Sequence, residues 1–418
     1  MKKRYIFFIT FLLSSVLFFS ITLDFYCLAW QPQTVDEVYD LVDMWNEENP
    51  DVQINIMWGT WETSDEFLQT SFRGGNPPDI IHTDTDVLAE YGLMGFVSPL
   101  NNYISNEMLN DISPWLFTEC SDLKGNIYGV PWLQEIQVVF YNKDIFKENG
   151  ITVPDNRMIG WDELLDIAQK VTIRDSKTGE VKRWGFLAPT MEYFHWALIE
   201  QNDGHVLVMD DKGKWKVEID DNAKEAIEFY ISLITKYKVS PPDVMSIDYT
   251  SLMQNFLNGR YAMVTFGCWN RRFLVQSKMD NWGMLLVTGK NIVSPSNPQG
   301  LGVSKACKYK EEAFRFVEFL TNTENSADMA YADWLFPVRN SSVEDPRFRS
   351  TEYEWNILYS WLPYARNVRS NMPGYLTFEW QAFVPQIERV ILGEITIDEA
   401  FKNIEKEGNK VLKRLGLQ

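Results

Sequence analysis

An α/β fold is predicted by three observations on this chain of 418 residues. It opens with a strand, helix, strand pattern, continues that alternation towards its end, and separates the elements with Gly/Pro punctuation and no Pro/Ser-rich tether. With 45% hydrophobic and 23% charged residues the composition is globular, too long for one compact core and right for two or three domains. Two α/β lobes joined without a flexible linker share strands or crossovers, so they are expected to sit close around a cleft.

Ile21 to Trp30 (ITLDFYCLAW) is a mostly apolar run with β-branched and aromatic residues, consistent with a buried strand. A helix follows: Thr34 and Glu37 are spaced as a capping box, Val35, Val38, Val42 and Trp45 recur at helical spacing, and Asn49-Pro50 stops it. Val52, Ile54 and Ile56 then alternate with Gln53 and Asn55, a half-buried strand, which completes a βαβ unit and implies a parallel pair. After Gly74-Gly75-Asn76-Pro77-Pro78 and Pro154, Trp161 to Val171 reads as a helix with apolar Leu164, Leu165 and Ala168. Ala223, Ala226, Ile227, Tyr230, Ile231 and Ile234 mark one face of a helix capped by Asp221. Phe314, Val317 and Leu320 do the same after Lys310, and Thr396 with Glu399 forms a capping box ahead of Ile397, Phe401 and Ile404.

Lys+Arg total 39 against Asp+Glu 58, a net charge of -19, and no basic block follows the first four residues, so a nucleic-acid partner is not supported. Behind Lys2, Lys3 and Arg4 runs YIFFITFLLSSVLFFSITL, which reads as an export signal over residues 1–20 that is either cleaved or kept as a single anchor. Cys27 and Ala29 are small residues that suggest a cut after Ala29, and Ser20 offers a poorer site. Asp-Phe-Tyr before Cys27 lacks the small and aliphatic residues of a lipoprotein signal. Export permits disulfides, but Cys27, Cys120, Cys268 and Cys307 allow three connectivities, and buried free thiols fit equally well. With no C-x-x-C and with His82, His195 and His205 scattered, no metal site or cofactor is expected.

The chain holds no G-x-S-x-G, H-E-x-x-H, G-x-x-x-x-G-K-[ST] or G-x-G-x-x-G after a strand, and its paired carboxylates read as solvated surface before they read as catalytic. Aromatic residues are the stronger signal: 16 Trp, 18 Tyr and 26 Phe make 14% of the chain, and many Trp stand beside turns. An aromatic face stacks on the C–H face of a pyranose while carboxylates and amides bond its hydroxyls, so the pattern suits neutral sugar binding. A Trp that fills a core looks the same, so positions need a second argument.

That argument comes from NPPDII (Asn76 to Ile81), AEYGLMGFVSPLNNYI (Ala89 to Ile104), LKGNIYGVPW (Leu123 to Trp132), VFYNKDIFKENGI (Val139 to Ile151) and GWDELLDIAQKVT (Gly160 to Thr172). FLNGRYAMVTFGCW (Phe256 to Trp269), GLGVSKACKYKEEAFRFVEFLT (Gly300 to Thr321), FPVRNS (Phe336 to Ser341) and ILGEITIDEAF (Ile391 to Phe401) continue it. In this order and spacing they resemble the family 1 extracellular solute-binding proteins of ABC importers, the group that includes maltose-binding protein. The resemblance implies a two-lobed periplasmic-binding-protein fold with three interlobe crossovers and a ligand cleft between the lobes. It implies an N-lobe of 21–131 and 299–341 and a C-lobe of 132–298 and 342–418. Because such proteins begin with an apolar first strand, it also favours cleavage near Ser20.

The resemblance further implies a ligand site. Trp30 and Gln31 follow the first strand, Thr83, Asp84 and Asp86 follow the PDII strand, and Glu135 stands at the first crossover. Tyr193, Trp269 and Trp380 match stacking positions, and Trp132 and Trp334 are added candidates. Cys268 stands where relatives often carry Pro, and Arg271 close by raises an anionic solute such as a glycerol phosphate, with surface arginine as the plainer reading. The expected protein is a periplasmic or cell-surface monomer that captures a sugar or short oligosaccharide, delivers it to the membrane permease of an ABC importer, and catalyses nothing. A carbohydrate-active enzyme using Asp84 or Glu135 is the rival of a different class.

Overall fold

The computed structural model describes residues 20–189, 193–369, 372 and 374–418. The expected export segment lies outside them except for Ser20, and among the described residues no helix is long and apolar enough to cross a membrane.

The apolar run after Ser20 forms β1 (Ile21–Leu28), which pairs in parallel along its whole length with β2 (Val52–Gly59) and on its other side with β3 (Ile80–Asp84). An interior parallel strand is covered on both faces; hence Leu23, Phe25 and Cys27 are buried on one face and Tyr26 and Leu28 on the other, and the run is almost continuously apolar. After β4 (Val130–Gln134) the chain builds a second sheet from β5 (Gln137–Asn142), β6 (Met158–Gly160), β7 (Met263–Gly267) and β8 (Trp282–Thr288). It then returns to the first with β9 (Gln299–Val303) and β10 (Phe336–Pro337). The sheets have the orders β10-β4-β9-β3-β1-β2 and β7-β5-β8-β6. In the larger sheet β9 is antiparallel to both β3 and β4.

Each sheet anchors one lobe, and the chain passes between them at Glu135–Ile136, between Thr288 and Gln299, and after Pro337. The first crossing lies beyond the expected 131/132 boundary, because β4 continues through Trp132 to pair with β9 and β10. The C-terminal helices join the smaller sheet's lobe. Asn409 Nδ2 on the helix Ile397–Arg414 donates to the Val217 carbonyl at 3.0 Å, and the Trp196 indole donates to the Glu379 carboxylate at 2.7 Å.

Helix starts divide the sequence expectations. The Thr396–Glu399 capping box forms with both reciprocal bonds, and Trp161–Val171 is a helix over that span. The later helix Asp221–Thr235 is capped by Asp220, not Asp221: the Asp220 carboxylate accepts from the Ala223 N–H at 2.7 Å. The Thr34–Glu37 box does not form. Pro32, with its pre-set φ, starts the first helix (Pro32–Glu48) ahead of Thr34, whose hydroxyl donates instead to Asp333. All four cysteines are buried free thiols.

Candidate ligand-binding cleft

A cavity of about 320 Å³ opens between the sheets where the crossovers run. Trp30, Trp61 and Asp84 reach it from the carboxyl ends of β1, β2 and β3, the edge where a parallel sheet leaves room beyond its strands. Glu135 and Gln137 enter from the first crossover, Asn297 and Gln299 from the second, and Leu335 from the turn before β10. Tyr193, Tyr249 and Trp269 form the opposite wall on the smaller sheet's lobe. The two walls meet where Trp30 and Trp269 stand edge to face, with ring centroids 6.0 Å apart and planes at 89°.

Trp269 follows β7 on the short helical turn Cys268–Asn270 and folds back over Gly267. Trp30 is held from below. The buried Asp333 carboxylate accepts from the Trp30 indole, from Thr34 and from Gln31 Nε2, the last at 2.8 Å. Burial nevertheless pushes Asp333 up to about 7, since three neutral donors do not replace the water lost to a carboxylate.

Gln299 is oriented by a histidine. The Leu28 N–H donates to His82 Nδ1 at 3.3 Å, so the ring proton sits on Nε2 and is donated to Gln299 Oε1 at 2.9 Å. Burial pushes His82 down to about 4, which keeps this neutral tautomer. The carbonyl end of Gln299 is thereby occupied, and among the described residues its amide N–H end has no protein partner and can serve the cavity it lines. Asp84 accepts from Asn297 Nδ2 at 2.6 Å and lies 3.7 Å from the Arg369 guanidinium. Burial raises its pKa, and the guanidinium beside it pulls the other way. The cavity thus offers aromatic faces, carboxylate acceptors and amide donors, and among the described residues no lysine or arginine lines it.

Of the sequence candidates, the structure brings Trp30, Asp84, Glu135, Tyr193 and Trp269 to this cavity and places the others elsewhere. Gln31 is buried on Asp333, and Thr83 is buried inside β3 opposite Gly300. Asp86 pairs with Arg369 at 2.9 Å and faces a different cavity. Trp132 is core, wholly buried in β4 with its indole N–H on the Leu320 carbonyl at 3.2 Å. Arg271 is wholly buried too. Its nitrogens donate to the carbonyls of Cys268, Tyr353 and Trp334, and its guanidinium lies 3.9 Å from the Trp355 ring centroid, so it supports the fold and not an anion. Trp334 packs on Tyr353 and on that same arginine. Trp380 is 54% exposed, because Phe378, Ala382 and Phe383 take the buried side of its turn.

Trp61, Gln137, Tyr249, Asn297, Gln299 and Leu335 line the cavity without having been singled out. Trp61 carried a usable signal: it is a tryptophan beside the turn that follows an alternating strand.

Two α/β lobes with a solute-sized cavity at strand ends and crossovers define a protein that holds a small molecule between its lobes. Residues 31–327 match the family described as bacterial extracellular solute-binding protein, and the chain belongs to that family. It is therefore an exported protein that binds a solute. An uncharacterized lipoprotein of Streptomyces antibioticus is 28% identical over 80% of this chain and 74% of its own. The maltotriose-binding protein of Pyrococcus abyssi is 23% identical over 77% of this chain and 67% of its own. Among solved structures, an ABC substrate-binding protein of Listeria monocytogenes in complex with cycloalternan superposes with a TM-score of 0.78 at 23% identity, covering 96% of this chain and 100% of that one.

Proposed function

We propose that the protein captures a neutral sugar or short oligosaccharide in the cavity lined by Trp30, Trp61, Tyr193 and Trp269 and delivers it to the membrane permease of an ABC importer, without a catalytic step. The observation that carries this reading is the lining itself: tryptophan and tyrosine faces from both lobes surround carboxylates and oriented amides. Rings stack on sugar C–H faces, Asp84 and Glu135 accept hydroxyl protons, and the Gln299 amide donates to ring or hydroxyl oxygens. The Listeria and Pyrococcus relatives, whose names record oligosaccharide ligands, support the same substrate class. With Arg271 spent inside the fold, no cation of the sequence's choosing recommends an anionic solute.

The test is a thermal-shift screen against mono- and oligosaccharides with glycerol phosphates as the contrasting arm, because ligand at 100 times its Kd adds about 2.7 kcal/mol to the folded state. A shift with a neutral saccharide that is recovered unchanged after incubation supports the reading. A shift confined to the phosphates, or any cleavage of the saccharide, overturns it.

A further inference from the structure

A second cavity, of about 350 Å³, also lies between the lobes. On one side it is walled by Asp86 and Glu90 of the helix Thr85–Leu93 and by Glu119, and on the other by Trp215 and Tyr375. Arg369 is on the lining of neither cavity but stands behind residues of both, between the two. Its guanidinium lies 3.7 Å from Asp84 and hydrogen-bonds the Asn297 side-chain oxygen, and both of those residues line the first cavity. The same guanidinium lies 2.9 Å from Asp86, which lines the second. It also sits 5.2 Å from the centre of the Tyr193 ring, part of the first cavity's wall, and the arginine side chain is only 3% exposed.

The segment that carries Arg369 is fixed to its surroundings on both sides. Ala365 and Arg366 pair with Ser294 and Pro295 in the second crossover, and Asn367 Nδ2 donates to Glu119 at 2.6 Å on the second cavity's wall. A guanidinium only 3% exposed and shared by two carboxylates from the opposite lobe is compensated in charge and fixed in direction.

We propose that Arg369 is the partition that sets the length of the solute site: it closes the first cavity at the Asp84 end and keeps a bound saccharide out of the second. This rests on the sugar reading. Removal of the arginine side chain is expected to join the two cavities into one trough. Beyond the partition Asp86 and Glu119 would accept hydroxyl protons and the Trp215 and Tyr375 rings would meet sugar C–H faces, so the added space can take further sugar units.

The experiment compares the wild type with Arg369→Ala, which removes the side chain, and Arg369→Met, which keeps most of its bulk without the charge. Crystal structures give the shape of the interlobe space, and titration with malto-oligosaccharides of increasing length gives the preference. We expect one continuous cavity in the alanine variant and a shift of roughly tenfold or more in relative affinity towards longer members, with the methionine variant close to wild type. Arg369→Ala with Asp86→Asn serves if two uncompensated carboxylates prevent folding. The proposal is overturned if the cavities stay separate without the arginine side chain, or if alanine and methionine change length preference alike, which would make charge and not volume the cause. Failure of the sugar reading looks different: none of the three proteins binds any saccharide, while the cavity shape still decides whether Arg369 is the partition.

Discussion

A methyl group added at Gly267 would lie 1.7 Å from the Trp269 ring, so the indole reaches the cleft only because residue 267 has no side chain. Trp269→Ala is expected to weaken ligand binding by about 1–3 kcal/mol, and Gly267→Ala should move affinity in the same direction by displacing the ring. Trp380→Ala, on the exposed side of its turn, should leave affinity unchanged; calorimetric titration that found the order reversed would place the site elsewhere. Asp333 adds a pH signature. Its folded pKa of about 7 lies above the unfolded value near 3.9, so the folded state binds the extra proton across that window and stability falls as pH rises through it. One such group contributes a slope of at most about 1.4 kcal/mol per pH unit. His82, lowered to about 4, acts oppositely: its contribution is present above about 6.5 and is lost as pH falls through 4. The difference in unfolding free energy between wild type and Asp333→Asn isolates the aspartate, and a pH-independent difference from 4 to 7 would refute the assignment. Sequence made Trp30 and Trp269 visible because an aromatic residue beside a turn is a local feature. Trp132 and Trp334 share that feature, yet their rings face a sheet core and a buried guanidinium, which only the tertiary arrangement decides. Asn297 and Gln299 were invisible because amides are ordinary in turns.

Elements were more legible than side chains because their signals are periodic. The alternating strand, the helix Trp161–Val171 and the Thr396 capping box each needed only neighbouring residues. The first helix was misread at its start because the hydroxyl of Thr34 is claimed by Asp333, a partner remote in sequence. That same box at Thr396 gives a stability test: Thr396→Ala should lower the unfolding free energy by about 1 kcal/mol in denaturant titration, with the slope unchanged. β1 bears on where a leader could be cut if one is removed. It fills the gap between β2 and β3 with Leu23, Phe25 and Cys27 wholly buried, so a chain beginning at Trp30 would leave both neighbours unpaired along an apolar gap. A chain beginning at Ile21 is expected to unfold cooperatively on heating, and one beginning at Trp30 is expected to be insoluble or to melt without a cooperative transition. Equal melting curves for the two would return the cut to Ala29.

At the scale of the whole molecule, the two walls of the cleft belong to different lobes, and they touch through Trp30 and Trp269 at its edge. A ligand between them gains contacts from both walls only when the lobes are together, and this difference in affinity is what shifts an open and closed equilibrium. The acidic surface does not decide the matter, because a net charge of -19 is spread over the chain while the closing force is local to the cleft. Saturating sugar is therefore expected to reduce the radius of gyration in small-angle X-ray scattering and to change tryptophan fluorescence, as Trp30 and Trp269 lose contact with water. Trp269→Ala should keep the unliganded scattering curve and need more ligand for the same compaction, since it removes one wall's contact and leaves the strand pairing of both sheets in place. Compaction that occurs at the same sugar concentration in both proteins would mean that closure is driven by contacts outside this cavity. Binding with no compaction at all would mean that the lobes are already closed before the solute arrives, and that the Trp30–Trp269 contact and the Arg369 ion pairs hold them so.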